Sequence, residues 1–270
     1  MSVKNVIFDL DGTLLYTLQD LCDAVNFVLK ENNEPARSLA EIRSFVGNGV
    51  HKLMERSVPA GTSAEYLEDQ YHEFRKYYST HDRETTVPFE GIPELLTELH
   101  RRGIKVAVVT NKFQLVAGPM MQDFFGDLID VTVGAEENIP HKPEPYMVYK
   151  AINRLEGEGG REAEAGGTIE PGGIAGAAGE PGGNALSAAG ESDGSAGCEP
   201  LAASLYREPA ADVKAHTLYV GDSTVDAATA ENSGLSYLLC DWGYNDRDVL
   251  EQQHARAIVS SPEQILDYLN

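Results

Sequence analysis

Apolar and polar positions follow two rhythms along this chain. Short, nearly unbroken apolar runs occur at 6–8, 104–109, within 128–133, at 217–220, 236–239 and 257–259. Runs of this length with no polar face read as strands covered on both sides, the mark of a parallel sheet. Between them, apolar residues recur every three or four positions, as an amphipathic helix requires. In 18–33 they are Leu18, Leu21, Ala24, Val25, Val28 and Leu29. Similar spacing predicts helices over 40–46, 50–58, 64–79, 92–102, 115–125 and 146–155, and a closing helix over 262–269. Strands alternating with helices predict an α/β fold with a parallel sheet.

The order of elements divides the chain. Four helical stretches follow the first strand in succession, and no further strand pattern begins before Lys105. This predicts a helical cap domain over 18–87, inserted after the first strand of a core formed by 1–17 and 88–270. Residues 156–211 stand apart. Fourteen of the chain's 26 glycines lie between Gly157 and Gly197, and Glu-Pro-Gly-Gly occurs at Glu170 and again at Glu180. Such a segment lacks the apolar surface to offset its ordering entropy, which predicts a disordered insertion.

Composition narrows the partners. A net charge of -22 argues against nucleic acid, since no basic stripe could offset it. Cys22, Cys198 and Cys240 are widely separated, which suggests free thiols in a reducing compartment. No run reaches membrane-spanning length, and a cytoplasmic protein with no membrane partner is expected.

The chemistry-bearing residues fall where apolar runs stop. The first run ends in Asp9-Leu10-Asp11-Gly12-Thr13, with two carboxylates directed to one mouth of the sheet. An acidic turn explains this pattern structurally, because Asp-Gly is a common turn pair. Chemically, one carboxylate suits attack on phosphorus, and the second suits proton transfer to the leaving oxygen and from water. Two carboxylates facing a phosphate dianion require a hard cation, and Mg²⁺ matches oxygen ligands. The second run stops at Thr110-Asn111-Lys112, where a hydroxyl beside backbone N–H groups can hold a phosphate oxygen. Lys142 lies in His141-Lys-Pro-Glu-Pro145, where a fixed cation would neutralise nucleophile and phosphoryl group. His141 reads as an exposed loop residue. After Val220-Gly221 come Asp222 and Asp226, four apart, which suit either helix capping or direct and outer-sphere metal contacts.

Taken together, Asp9 with Asp11, Thr110, Lys142, and Asp222 with Asp226 resemble the four motifs of the haloacid dehalogenase-like hydrolase superfamily. The resemblance spans nearly the whole chain outside 156–211. It implies a Rossmann-like core with a type-1 helical cap. It also implies Asp9 as nucleophile and Mg²⁺ ligand, Asp11 as acid/base and a Mg²⁺ ligand through its backbone carbonyl, and Asp222 as a direct ligand with Asp226 behind it. Thr110, with Asn111 and Gly12, would bind phosphate, and Lys142 would complete the catalytic set. Asp11 favours phosphate chemistry, because the superfamily's dehalogenases usually lack a second Asp there.

The Gly47-Asn48-Gly49 turn resembles the cap loop of the phosphoglycolate phosphatase-like branch, and Trp242-Gly243-Tyr244, between the last strands, resembles the same branch, although packing also explains Trp242. Asn48, Arg43, His51 and Lys52 are therefore candidate substrate contacts, although helix capping also accounts for the turn. Tyr71, Tyr77 and Tyr78 read as packing. Tyr16 stands where many of these sequences carry an acidic residue. The expected activity is hydrolysis of a small phosphate monoester, with phosphoglycolate first. Sugar phosphates, nucleotides, pyrophosphate and a β-phosphoglucomutase-like transfer are the enzymatic alternatives, and a partner-binding regulator is the non-enzymatic one. Oligomeric state is left open.

Overall fold

A computed structural model describes residues 2–137, 139–157 and 205–270. The insertion expected at 156–211, with Cys198, lies almost wholly outside the described residues. Six strands form one parallel sheet in the order β5-β4-β1-β6-β7-β8. They are β1 (Asn5–Phe8), β4 (Lys105–Phe113), β5 (Val131–Ala135), β6 (Thr217–Gly221), β7 (Ser236–Cys240) and β8 (Ala257–Val259). β1 is central and buried along its whole length. It pairs in register with β4 (Val6 beside Val106) and with β6 (Val6 beside Leu218).

Alternate side chains of these strands enter two cores. Ile7, Val109, Tyr219 and Leu239 meet α7 (Tyr146–Leu155) on one face. Val6, Phe8, Val108 and Val220 lie on the other face, in a cluster that includes α5 (Ile92–Arg101). The same cluster continues into four helices: α1 (Leu18–Glu31), α2 (Leu39–Phe45), α3 (Val50–Ser57) and α4 (Ala64–Tyr78). α1 packs against α2 and α4, and α3 against the same two. Among the described residues, the remaining α-helices are α6 (Gln114–Phe125), α8 (Ala211–Ala215), α9 (Thr224–Ser233) and α10 (Arg247–Leu250).

Three elements differ from expectation. The second apolar strand does not stop at Val109 but runs to Phe113, through a break in its register with β5 between those residues. Such an irregularity re-aims side chains without ending the strand. A two-residue antiparallel pair, β2 (Leu15–Tyr16) with β3 (Val87–Pro88), joins the two chain crossings that flank α1–α4. Strands this short leave no periodic signal. The closing segment Pro262–Tyr268 is a 3₁₀ helix rather than an α-helix.

The crossings are also tied by Asp20 in the first turn of α1. Its carboxylate accepts from the backbone N–H of Thr85 (2.9 Å) and Thr86 (3.0 Å) and from both hydroxyls (2.5 and 2.7 Å). Among the described residues, no helix is long and apolar enough to cross a membrane.

Candidate active site

The C-terminal ends of β1, β4 and β6 open on one cavity of about 40 Å³. Asp9 follows β1 directly, and its N–H donates to the carbonyl of Val220 (2.9 Å), which holds the residue in line with the sheet. The chain then turns at Gly12, whose φ of 89° suits glycine. A Cβ here would lie 2.4 Å from Oδ2 of Asp222, so the turn can approach that carboxylate only as glycine. Gly243 repeats the constraint from the other side, with a Cβ position 2.3 Å from the same oxygen.

Lys142 organises the acidic cluster. Its buried ammonium donates to Oδ1 of Asp9 (2.6 Å), to Oδ1 of Asp226 (2.8 Å) and to the hydroxyl of Tyr219 (3.2 Å). Burial opposes the charge, but the carboxylates of Asp226 and Asp9 outweigh it and hold the group well above the ordinary lysine range. Asn111 fixes the Lys142 loop. Its Oδ1 accepts from the Lys142 N–H (2.9 Å), and its Nδ2 donates to the Lys142 carbonyl and to the Gly47 carbonyl, both at 3.1 Å.

Asp226 performs two tasks. Oδ2 accepts from the N–H groups of Asp222 (3.2 Å) and Ser223 (3.1 Å) and from the Ser223 hydroxyl (2.5 Å), which closes a capping box at the start of α9. Oδ1 accepts from Lys142 and from Tyr219 (2.9 Å). Asp222 accepts from the Thr13 hydroxyl (3.3 Å) and the Tyr244 N–H (2.6 Å).

The donor set fits a divalent cation. One oxygen each from Asp9, Asp222 and Asp226 lies within 4.8 Å of the others, and all three residues are buried. Among the described residues, the Lys142 ammonium pairs with Asp9 and Asp226, and no ion pair reaches Asp222. Burial, followed by the charge of Asp226, pushes Asp9 from 3.8 up to about 7. Burial, with Asp226 and Asp9 beside it, pushes Asp222 well above the ordinary range. Buried oxygens that resist ionisation in this way are the environment a hard cation relieves, and Mg²⁺ takes an all-oxygen set of this kind.

Asp11 lines the same cavity, but its side chain is held outside the acidic cluster. Oδ1 accepts from Lys112 Nζ (2.9 Å) and from the hydroxyl of Thr17 (2.7 Å). Thr17 occupies the N-cap position of α1, yet its side chain makes no capping bond. Thr110 and Asn111 face the cavity from β4, and the Thr110 hydroxyl accepts from the Lys112 N–H (3.1 Å).

The roof is largely apolar: Leu21, Val46, Val50 and Leu53, with Gly47 and Gly49 between. The four candidate side chains of that region turn elsewhere. Arg43 pairs with Asp246 (2.9 Å), and Asn48 accepts from Arg56 (2.9 Å). His51 pairs with Glu68 (2.7 Å), and Lys52 with Glu55 (2.7 Å). His141 is exposed. Sequence reasoning missed Lys112, Thr17 and Tyr219, because each carries a polar group to the site from a position that reads as strand, cap or packing, and it named Tyr244 only within Trp242-Gly243-Tyr244. A lysine directly after Thr110-Asn111 was the one available signal.

Residues 6–163 match the family model of haloacid dehalogenase-like hydrolases. The chain is 29% identical over 274 residues to the phosphoglycolate phosphatase of Cereibacter sphaeroides strain ATCC 17025, covering 99% of this chain and 98% of that one. It is 32% identical over 161 residues to the phosphoglycolate phosphatase of Nitrosospira multiformis, covering 58% of this chain and 71% of that one. A crystal structure from Lactobacillus delbrueckii subsp. bulgaricus superposes with a TM-score of 0.74 at 22% identity, covering 100% and 99% of the two chains. The family match spans more than half of the chain, and the chain belongs to the haloacid dehalogenase-like hydrolases.

Proposed function

We propose that this chain hydrolyses a small phosphate monoester through an aspartyl-phosphate on Asp9, with phosphoglycolate as the substrate. The observation that carries the reading is the pairing at the end of β1: Asp9 held by Lys142 at 2.6 Å, and Asp11, two residues on, facing the same cavity. Family membership and the phosphoglycolate phosphatases among the relatives support the substrate. The small cavity supports a short leaving group.

In this reading a carboxylate oxygen of Asp9 attacks phosphorus in line, and the P–O bond to the leaving group breaks. Asp11 gives its proton to the departing alkoxide, then takes one from the water that cleaves the acyl phosphate. Lys142 stays within reach of Asp9 and offsets charge on the phosphoryl oxygens. Thr110, with Asn111 and Gly12 nearby, contacts the phosphate. Asp9, Asp222 and the Asp11 backbone carbonyl would hold Mg²⁺, with Asp226 supporting from behind. When bound, the metal supplies charge neutralisation that lets a dianion approach the carboxylates. Helices α1–α4, within the cap domain assigned to 18–87, exclude bulk water from the cavity. The acidic composition and, among the described residues, the free thiols of Cys22 and Cys240 suit a cytoplasmic enzyme.

The test is phosphate release from phosphoglycolate, sugar phosphates, nucleotides and pyrophosphate, with Mg²⁺ and with chelator, for wild type and Asp9→Asn. The expected result is metal-dependent turnover with a phosphoglycolate optimum, abolished by the substitution. Turnover of another ester alone would reassign the substrate, and no turnover by folded wild type would overturn the reading.

A further inference from the structure

Lys112 is a lysine whose whole side chain is buried, and nothing in the acidic cluster needs it. The ammonium donates to Oδ1 of Asp11 (2.9 Å) and to the hydroxyl of Tyr78 (2.7 Å), and it lies 4.8 Å from the centre of the Tyr78 ring. Tyr78 is the last residue of α4 and is 1% exposed. An isolated buried ammonium is very unfavourable, so these two oxygens account for its position. The charges of the site are thereby divided: Lys142 serves Asp9 and Asp226, and Lys112 serves Asp11.

We infer that Lys112, seated by the Tyr78 hydroxyl, is a positioning residue that holds Asp11 for proton transfer. This rests on the phosphatase reading above. The observed hydrogen bonds to the Asp11 carboxylate, from Lys112 and Thr17, fall on Oδ1. That fixes the plane of the group and leaves Oδ2 as the oxygen that meets leaving group and water. It also restrains Asp11 from swinging toward the three clustered carboxylates. Because Tyr78 belongs to α4 and Lys112 to β4, the orientation of Asp11 depends on α4 being seated on the sheet.

The test exploits a leaving group that needs no proton. Single-turnover cleavage of phosphoglycolate, whose leaving group is an alkoxide, is compared with that of acetyl phosphate, which releases acetate. Wild type, Lys112→Met, Lys112→Gln and Tyr78→Phe are measured with Mg²⁺. A misplaced acid slows the first substrate by about 100-fold in Lys112→Met and changes the second by less than about 5-fold. Lys112→Gln, which keeps a donor, recovers part of the loss. Tyr78→Phe removes one hydroxyl from a packed ring, so it folds even where Lys112→Met does not, and it shows the same selective loss at about 10-fold. Equal slowing of both substrates, or none, in Tyr78→Phe and Lys112→Gln overturns the role of Lys112 while wild-type turnover keeps the phosphatase reading. A wild type that cleaves neither substrate overturns both.

Discussion

At the scale of single residues, this site is built by atoms that leave their usual tasks. Thr17 stands at a helix N-cap and gives its hydroxyl to Asp11 instead. Departures from local rules concentrate where a fold carries function. Asp11→Asn keeps the shape of the side chain and removes the proton it transfers. The expected loss in kcat on an alkyl phosphate is about 10²- to 10³-fold with KM nearly unchanged, read by steady-state kinetics. Gly243→Ala tests the metal site from its wall. The added Cβ would fall 2.3 Å from Oδ2 of Asp222 and displace that carboxylate. The Mg²⁺ concentration for half-maximal activity should rise by about tenfold or more, measured by metal titration.

At the scale of elements, the crossing between core and helices is held by polar contacts that the short β2–β3 ladder does not supply. Asp20 accepts four hydrogen bonds from Thr85 and Thr86, and both Asp20 and Thr86 are buried. Asp20→Ala leaves those donors without their acceptor, at a cost of about 3 kcal/mol. The melting temperature should fall by roughly 5–10 °C in a chain of this size. Asn at the same position keeps acceptor capacity on one oxygen and should lose less; equal losses would mean that the second oxygen contributes nothing. Calorimetry or thermal circular dichroism distinguishes the two.

At the scale of the whole molecule, the acidic cluster makes stability depend jointly on metal and pH. Burial and then Asp226 raise Asp9 from 3.8 to about 7 in the metal-free protein. A carboxylate raised on folding binds its proton more tightly in the native state. Its ionisation therefore destabilises the metal-free fold as pH rises from about 4 to 7. A bound cation removes that penalty. Addition of Mg²⁺ should raise the melting temperature more at pH 8 than at pH 6, and chelator should reverse the shift at both. A shift that shrinks as pH rises would exclude this account. Besides the shared apolar cluster, ion pairs link residues of 18–87 to the core: Arg43 with Asp246, Arg75 with Glu137 and Arg83 with Asp123. Such half-exposed pairs contribute little each and are screened by salt.

The alternation of apolar runs and helical spacing was enough to determine a parallel α/β sheet with a run of helices after its first strand, because burial on two faces leaves a periodic trace. It also located Asp9, Asp11, Thr110, Lys142, Asp222 and Asp226 at strand ends and loops, since abrupt changes from apolar to charged residues are visible in one dimension. Pairing across the fold was not visible. The two residues of β2 and of β3 are too few for a period, and the continuation of β4 to Phe113 depends on Ala135 lying beside it. Tyr78 reads as packing and does pack, but its hydroxyl meets Lys112, 34 positions away. Arg43, Asn48, His51 and Lys52 share the charge and polarity of substrate ligands, yet Asp246 from the core and Arg56, Glu68 and Glu55 from α3 and α4 take up their side chains. Hydrogen bonds and ion pairs act over about 3 Å and depend on direction, so only tertiary structure decided which of the available polar groups met.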